Sequence, residues 1–521
     1  MTDCLLHPHL ASQLATDSGQ KMMQSLSDQA HLRGDALWLS LAVISDMVSA
    51  LTAGDGNDDD ARMSEGEARS RIRMLGESCN WLAALAADAS LIDNDDRIES
   101  LLARQVKRLG SQAFVLTADT EVAVPSASCE YEAVTLSDYL AREMPVPQIP
   151  FIDLARQQRR IRSSVEEGLF GVLAHGRYIG GPEIDTLEAQ LAEYVGVRHA
   201  IAVSNGTDAL LIAMLALDIG AGDEVITSPF TFAATGEMIR LLGARAVYVD
   251  IDRQTYNLDA SQLAAAITER TRAIMPVSLY GQCADMDAIN DIAHRHNTAV
   301  IEDGAQSFGA TYKGRRSCGV SDIGCTSFFP SKPLGGYGDS GACFTDDDAH
   351  ADAMRQIRDH GQTGRYRHTR LGINGRMSSF QASVLLAKLE IFAEEIELRV
   401  KAGKRYDRLF TERLTTTAPR SIVIPTVPSF NTSAYAQYTV LVEDRDVVQK
   451  HLADVGVPSA VHYPLPLNRQ PALEEIACRV PVCDEICRRV LSLPMHPYIS
   501  LQQQEYIVDA LINAVSAANA A

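Results

Sequence analysis

Residues 327–341 read SFFPSKPLGGYGDSG, which places Lys332 between a prolyl turn and a glycine-rich exit. Glycine lacks a Cβ and tolerates positive φ, so other groups can approach this lysine closely. A lysine held in this way can bind an aldehyde cofactor covalently and move protons. Most lysines, however, are solvated surface charges. The stretch alone therefore does not distinguish a cofactor-binding lysine from a surface lysine. Evidence for one or the other has to come from the segments around it.

Short apolar runs on the N-terminal side of this stretch alternate with helical segments. This alternation predicts an α/β fold with a largely parallel sheet that helices cover on both faces. In such sheets the ligand lies beyond the carboxyl ends of the strands. The candidate site residues of this chain follow strand ends. The predicted strands are residues 200–203, 224–226, 246–250, 272–277 and 299–303.

A strand-to-helix turn follows the first of these strands, in the segment SNGTDAL at residues 204–210. This turn holds Gly206 and Thr207. Backbone N–H groups at the start of a helix bind phosphate, and the helix dipole strengthens that binding. An ordinary N-cap formed by Thr207 or Asp208 explains the segment equally well. The turn is therefore a candidate phosphate site with an open structural alternative.

Two further residues follow strand ends and suit a flat nitrogen heterocycle. Asp303 ends an apolar strand, where a carboxylate could pair with a protonated pyridine nitrogen and keep the ring an electron sink. Phe232 follows another strand and could stack on a flat cofactor. Taken singly, Asp303 is more simply a helix cap and Phe232 a core residue. Their occurrence together with the phosphate turn and Lys332 favours the functional interpretation of both residues.

The chain order 206, 232, 303 and 332 resembles that of the fold-type-I pyridoxal 5'-phosphate enzymes, and more closely the DegT/StrS-type nucleotide-sugar aminotransferases. The resemblance covers roughly residues 148–515. It implies a large, mostly parallel sheet domain that binds the cofactor (151–395) and a smaller C-terminal α+β domain (396–521). The matching segments are residues 180–183, 204–210, 222–225, 229–235, 302–309, 327–341 and 372–376.

This resemblance also implies a role for each matching residue. Lys332 would bind the cofactor covalently and move the proton between the cofactor carbon and the sugar carbon. Asp303 would pair with the pyridine nitrogen, Gln306 would contact the side of the ring hydroxyl, and Phe232 would stack on the ring. The active site would then lie at a homodimer interface. The positions that would hold the phosphate are Gly206, Thr207, Ser327 and, from the partner subunit, Asn374.

Within the family, four segments are most similar to the enzymes that make a 3-amino UDP-N-acetyl-hexuronic acid for lipopolysaccharide O-antigen. These enzymes take the amino group from L-glutamate. A uronic substrate carries a carboxylate, for which Arg376 is the candidate bidentate clamp. His462 and Tyr463 would contact the substrate, although a structural turn with Pro464 is the alternative. The segments are residues 278–285, 331–335, 462–468 and 493–498.

Two other functions stay open. An aminotransferase acting on a dTDP- or UDP-linked keto-deoxyhexose would keep the chemistry and change the sugar. A regulatory protein would use the cofactor fold to read a ligand. A cofactor-dependent dehydratase of the same fold is disfavoured, because those relatives replace the lysine that this chain keeps as Lys332.

Residues 1–143 form an acidic N-terminal extension, with 23 acidic and 11 basic side chains. Apolar spacing predicts a mostly helical segment, with helices over 37–51, 72–86 and 98–109. No chemical motif indicates its role. Residues 144–150 are a proline-rich linker, and Met144 is an alternative start for the remainder.

The composition excludes several classes of protein. The net charge of −20 disfavours nucleic-acid binding. No apolar run is long enough for a membrane span, and the N-terminus lacks the pattern of a signal peptide. The ten cysteines are irregularly spaced and match no metal motif. The expectation is a cytoplasmic protein with free thiols, no bound metal and no membrane partner.

Overall fold

The computed structural model of this protein describes residues 149–417, 422–475 and 477–520, together with five short strands nearer the N-terminus. The chain divides into two compact units, Met1–Ile149 and Pro150–Ala521. The boundary between them falls at the end of the predicted linker, where closely spaced prolines prevent a continuous helix.

The strands of the first unit are β1 Asp3–Leu6, β2 Ala36–Leu39, β3 Asn80–Trp81, β4 Phe114–Thr117 and β5 Glu132–Thr135. They form a parallel sheet in the order β3-β2-β1-β4-β5. The helices predicted over 37–51 and 72–86 are wrong at residues 37–39 and 80–81, which belong to β2 and β3. Short apolar runs fit a buried strand as well as a helix face, so periodicity could not separate the two. The rest of these two helices, and the one predicted at 98–109, lie outside the described residues.

The strands of the second unit confirm the sequence prediction closely, except that residues 249–250 and 276–277 lie beyond the strand ends. They are β6 His199–Val203, β7 Glu224–Thr227, β8 Arg245–Tyr248, β9 Thr271–Met275, β10 Ala299–Asp303, β11 Thr311–Tyr312, β12 Arg315–Arg316, β13 Ile323–Ser327, β14 Gly341–Thr345, β15 Gln362–Gly364, β16 Arg367–His368, β17 Asn431–Thr432, β18 Tyr438–Leu441 and β19 Val490–Leu493.

Seven of these strands form the main sheet, in the order β6-β14-β13-β10-β9-β7-β8. Only β14 runs antiparallel to its neighbours, β6 and β13. The others pair in parallel from β13 to β8. The predicted large, mostly parallel sheet of a fold-type-I enzyme is confirmed.

Helices cover both faces of this sheet, because its central strands are apolar on both sides. Leu187 and Leu191 belong to the core on one face, and Leu210 and Ile212 to the core on the other. The α-helices of the described residues are α1 Leu154–His175, α2 Pro182–Val195, α3 Gly206–Ala216, α4 Ala233–Leu241, α5 Leu263–Ala266, α6 Met286–Arg295, α7 Asp348–Ile357, α8 Ser379–Thr417, α9 Arg445–Asp454, α10 Pro481–Arg489 and α11 Leu501–Ala520.

The C-terminal part combines an antiparallel strand pair, β18 and β19, with helices α9, α10 and α11. This is the α+β composition predicted for residues 396–521. The long helix α8 runs without interruption across the predicted boundary at 395/396. None of the described helices is both long and apolar enough to cross a membrane.

Candidate active site

The turn between β6 and α3 leaves backbone N–H groups available. Asn205 caps the helix by accepting a hydrogen bond from the backbone N–H of Asp208 at 2.7 Å. The alternative in which Thr207 or Asp208 is the N-cap is therefore wrong. Gly206 and Thr207 are the first two residues of α3, where N–H groups have no acceptor inside the helix. Such groups are available to an anion such as phosphate.

Ser327, at the end of β13, lies directly against this turn. A Cβ placed on Gly206 would lie 2.5 Å from the Ser327 Cβ, closer than two such atoms can approach. The glycine is therefore required by the neighbouring strand end rather than by its own backbone angles. The structure thus brings together three of the four residues predicted to hold the phosphate, Gly206, Thr207 and Ser327.

Replacing Gly206 with alanine is expected to weaken binding of pyridoxal phosphate about 10- to 100-fold. The added methyl group forces Ser327 and the turn apart, and such overpacking costs about 1–3 kcal/mol. A fluorescence or absorbance titration of the cofactor would measure the dissociation constant. Gly220→Ala is the matched control, because a Cβ there meets no heavy atom within 4 Å. Equal dissociation constants for the two variants would contradict the phosphate assignment.

Asp303 is buried at the carboxyl end of β10 and is held by two donors. Thr235 donates from Oγ1 to Asp303 Oδ2 at 2.8 Å, and the backbone N–H of Ala305 donates to Oδ1 at 3.2 Å. Thr231 lies 3.0 Å from Thr235, oxygen to oxygen, and orients that hydroxyl. Burial raises the pKa of Asp303, while these hydrogen bonds and the positive charge of Lys332 oppose the rise. The result is a fixed carboxylate facing a cation.

Lys332 lies in a tight turn, where its backbone N–H donates to Phe329 O at 2.8 Å. The glycines that follow are required by close packing, since a Cβ on Gly335 would lie 2.4 Å from Pro330 O. Burial lowers the pKa of the Lys332 amine, and the charge of Asp303 acts in the opposite direction. A lysine with a lowered pKa is a better nucleophile at neutral pH, as covalent capture of an aldehyde requires.

Gln306 is oriented at both ends of its amide. Its Oε1 accepts from the backbone N–H of Tyr280 at 2.8 Å, and its Nε2 donates to the Tyr463 hydroxyl at 3.0 Å. The second Nε2 hydrogen is available to a ring hydroxyl. Phe232 is 58% exposed, so it is not a core residue, and its ring centroid lies 6.2 Å from that of Tyr463. An exposed aromatic face beside an oriented amide suits a flat ring.

These residues fit pyridoxal phosphate. A glycine turn that a Cβ would fill has free N–H groups for the phosphate. A buried carboxylate can pair with the ring nitrogen, and a lysine of lowered pKa can take the aldehyde carbon. These groups match three chemical features of the cofactor, and they lie at or after the ends of three strands, β6, β10 and β13.

His462 lies close enough to Lys332 for the charge of the lysine to act on it. Burial and that positive charge together lower the pKa of His462 to about 4. The imidazole is therefore neutral throughout the physiological pH range. Its Nδ1 lies 2.9 Å from Ser492 Oγ. Tyr463 is largely buried, and burial raises the pKa of its hydroxyl, so it stays protonated.

No contact among the described residues of this chain places Asn374 or Arg376 next to Lys332. Asn374 pairs through its backbone with Asp359, and Arg376 forms an ion pair with the Asp359 carboxylate. Arg376 Nε is buried without a hydrogen-bond partner among the described residues. These positions fit a contribution to the site of a second subunit. The guanidinium would have to keep or exchange its bond to Asp359 to clamp a substrate carboxylate.

Several residues of the site were not predicted from the sequence. Thr235 and Thr231 orient Asp303, and Tyr280 orients Gln306. The only available signal was the pair of hydroxyl residues four positions apart in the TFAAT segment at residues 231–235, which suits one face of a helix start. Ser492 carried no signal at all, because its strand pairs with a segment far away in sequence.

Comparison with known proteins gives one consistent result. A family model described as the DegT/DnrJ/EryC1/StrS aminotransferase family matches residues 160–512. The UDP-2-acetamido-2-deoxy-3-oxo-D-glucuronate aminotransferase of Pseudomonas aeruginosa is 54% identical over 365 residues, which cover 70% of this chain and 100% of that protein.

Solved structures show the same likeness. A DegT/DnrJ/EryC1/StrS aminotransferase from Brucella abortus superposes with a TM-score of 0.67 at 39% identity, covering 70% of this chain and 99% of that one. NtdA from Bacillus subtilis, solved with bound cofactor PMP, has a TM-score of 0.65 at 27% identity and covers 80% and 98% of the two chains. PMP is the amino form of pyridoxal phosphate, the cofactor that the site residues fit.

Proposed function

The chain belongs to the DegT/DnrJ/EryC1/StrS aminotransferase family, and we propose that it moves an amino group from L-glutamate to the C3 ketone of a UDP-linked 2-acetamido hexuronic acid. It is a pyridoxal-phosphate-dependent aminotransferase. The oriented pair of Lys332 and Asp303 at the carboxyl end of the sheet carries the chemistry of the proposal. The 54% identity to the Pseudomonas aeruginosa enzyme, over its full length, supports the choice of sugar.

Pyridoxal phosphate, when bound, supplies an electron sink for the carbon that loses a proton. The residues of this chain hold and direct that chemistry. Asp303 keeps a proton at the ring nitrogen, because its carboxylate is fixed by Thr235 and shielded from water. Lys332 Nζ moves the proton between the two reacting carbons. Gln306 would hold the ring from its hydroxyl side and Phe232 would contact its face, and together they would orient it for the reaction.

A substrate with a diphosphate and a carboxylate requires local positive charge in an acidic protein. Residues 360–387 contain four arginines and no aspartate or glutamate, in a chain with a net charge of −20. Strands β15 and β16, which lie in this segment, form an exposed hairpin. This charge distribution favours an anionic nucleotide sugar over a neutral ligand. The arginines are Arg365, Arg367, Arg370 and Arg376.

We further propose that the active enzyme is a homodimer in which Asn374 and Arg376 serve the partner's site. Large apolar side chains lie exposed near and within the same segment, including Tyr366 at 81% and Leu371 at 88% exposure. A second copy would remove this surface from water. A place in the cytoplasm fits the seven described cysteines, all of which are free thiols. The proposed product would serve lipopolysaccharide O-antigen synthesis.

Steady-state assays with two ketosugars test the proposed substrate. With glutamate as donor, we expect kcat/KM for the UDP-linked 3-keto hexuronic acid to exceed that for a dTDP-linked keto-deoxyhexose. Preference for the deoxyhexose would favour the alternative sugar. Cofactor binding without turnover on either sugar would favour a regulatory protein that reads its ligand through the same fold.

Replacing Arg376 with alanine is expected to raise KM for the uronic substrate about 10- to 100-fold, because a charge-assisted hydrogen bond contributes about 1.5–3 kcal/mol. KM for the keto-deoxyhexose, which has no carboxylate, should change much less. Asp359→Asn is the matched control, since it breaks the same ion pair and leaves the guanidinium in place. If both variants raised KM equally for both sugars, Arg376 would only be holding Asp359.

A further inference from the structure

The glycine-rich exit loop, residues 335–338, packs against the side chain of Gln381 from α8. The backbone N–H of Tyr337 donates to Gln381 Oε1 at 3.0 Å. A Cβ on Gly336 would lie 2.7 Å from that same oxygen, and a Cβ on Gly338 would lie 2.8 Å from Gln381 Nε2. Both separations are shorter than a carbon atom allows. The two glycines therefore leave the space that the amide group occupies.

The hydrogen bond from Tyr337 fixes which way the amide of Gln381 points. A backbone N–H can only donate, so the amide atom beside it must be the oxygen. If the amide were rotated by half a turn, two donors would face each other and the Tyr337 N–H would lose its acceptor. The side chain of Gln381 is therefore held by its shape and by the polarity of its amide together.

The exit loop is joined to the turn that carries Lys332. The backbone N–H of Gly336 donates to Phe328 O at 2.7 Å, which closes a loop that contains the lysine. A Cβ on Gly335 would lie 2.4 Å from Pro330 O, so the chain that leaves the turn lies directly against the chain that enters it. A shift of the exit loop would therefore also move the backbone that positions Lys332.

Helix α8 holds Gln381 on a fixed support. Ser379, at the start of the helix, is fully buried, and its hydroxyl donates to Arg177 O at 2.8 Å. The same hydroxyl accepts from the backbone N–H of Gly181 at 3.1 Å. Leu334, in the turn that carries the lysine, belongs to a buried core to which α8 also contributes. Gln381 thus joins the exit loop to an anchored helix end.

Gly338 offers a way to displace Gln381 without disturbing other groups. Apart from its chain neighbours, the heavy atoms of the described residues within 4 Å of a Cβ at this position both belong to Gln381, Nε2 at 2.8 Å and Cδ at 3.5 Å. Gly338 is not among the glycines with a positive φ, so its backbone also accepts alanine. Alanine at this position therefore acts on one side chain.

We propose that Gln381 is a positioning residue for Lys332: its amide, inserted beside Gly336 and Gly338, holds the exit loop on α8 and so fixes the turn that carries the lysine. Gln381 exchanges no proton with the lysine and acts through the backbone of the exit loop. The role given to Lys332 rests on the proposed function, whereas the contact between Gln381 and the exit loop does not.

Competitive acetylation of the full chain without cofactor tests the proposal. Acetic anhydride is applied over a range of pH, and peptide mass spectrometry gives the pH midpoint at which the Lys332 amine becomes reactive. Burial lowers the pKa of this amine, and the charge of Asp303 acts in the opposite direction. Gln381→Met keeps the length of the side chain and loses the acceptor. A loosened turn admits water to the amine, so we expect the midpoint to rise towards that of an ordinary lysine.

A double-mutant cycle tests whether Gly338 and Gln381 act on each other. In the natural background, Gly338→Ala should raise the Lys332 midpoint and lower kcat/KM of the cofactor-loaded enzyme about 2- to 10-fold, the effect of one hydrogen bond. In a Gln381→Ala background the added methyl group meets no side chain, so Gly338→Ala should have no further effect. Gly220→Ala, whose Cβ meets no heavy atom within 4 Å, is the matched control and should change neither quantity.

Two results would overturn the proposal. One is a Gln381→Met protein whose Tm falls while the Lys332 midpoint stays unchanged, which would make Gln381 a structural residue only. The other is a cycle in which the effects of Gly338→Ala and Gln381→Ala simply add. Failure of the proposed function looks different. An enzyme without turnover on the uronic substrate would still show the shifted midpoint, because acetylation needs neither cofactor nor substrate.

Discussion

Replacing Lys332 with alanine is expected to lower aminotransferase turnover by more than about 10⁴-fold, the largest effect of any single substitution in this chain. In the proposed function Lys332 both captures the cofactor covalently and moves the proton, and general acid–base catalysis alone contributes about 10²–10⁴-fold. The absorbance band of lysine-bound pyridoxal should also disappear. Single-turnover kinetics with glutamate, followed by absorbance, would measure the chemical step apart from cofactor loading.

Lys388→Met is the matched control, because Lys388 is a second lysine of the described residues whose pKa is lowered by burial. Its exposure is 1%, and burial lowers its pKa to about 8. Its amine lies 4.7 Å from the centre of the Tyr337 ring and contacts none of the predicted cofactor ligands. The Lys388→Met enzyme should keep the absorbance band. A band that survived in Lys332→Ala and vanished in Lys388→Met would reverse the assignment of the two lysines.

Replacing Asp303 with asparagine is expected to lower kcat about 10²–10⁴-fold while the cofactor stays bound. Asparagine keeps an acceptor for the Thr235 hydroxyl, but it has no negative charge to hold a proton at the ring nitrogen. The loss should therefore appear in kcat more than in KM. Stopped-flow absorbance after mixing with glutamate would show a slow first half-reaction in a fully loaded enzyme.

Glu302→Gln separates this electrostatic role from the general cost of altering a buried carboxylate. Glu302 precedes Asp303 in β10, points to the opposite face of the sheet and is fully buried. It accepts hydrogen bonds from Ser278 Oγ at 2.7 Å and Ser317 Oγ at 2.8 Å. We expect a lower Tm with kcat nearly unchanged. A comparable loss of kcat in both variants would mean that Asp303 is only a structural carboxylate.

The sequence predicted the elements that depend on local chemistry. Apolar runs and the turns after them located β6, β7, β10 and the glycine-rich exit, because strand and turn propensities act over a few residues. The same reasoning fails at β2 and β3, where the spacing of short apolar runs predicts helix faces. A parallel strand is stabilised by partners distant in sequence, which periodicity within one window does not contain.

The site residues show the same difference between local and long-range determinants. Lys332, Asp303 and Phe232 could be proposed from the sequence because each follows a strand end with a distinctive neighbourhood. Asn205 was missed as the helix cap, since several polar residues of that turn could have served. Thr235 and Ser492 were missed because a buried hydroxyl has no signature until its partner is known.

What the sequence by itself determined is the class of fold and a candidate for the reactive lysine, because order along the chain and local turn chemistry can be read from the sequence directly. Only the tertiary structure decided which side chains orient the candidate site residues Asp303 and His462. Thr235 reaches Asp303 across 68 residues, and Ser492 reaches His462 across 30. Hydrogen bonds of this kind depend on the packing of whole strands, and a shift of one residue in strand register would turn every side chain to the other face.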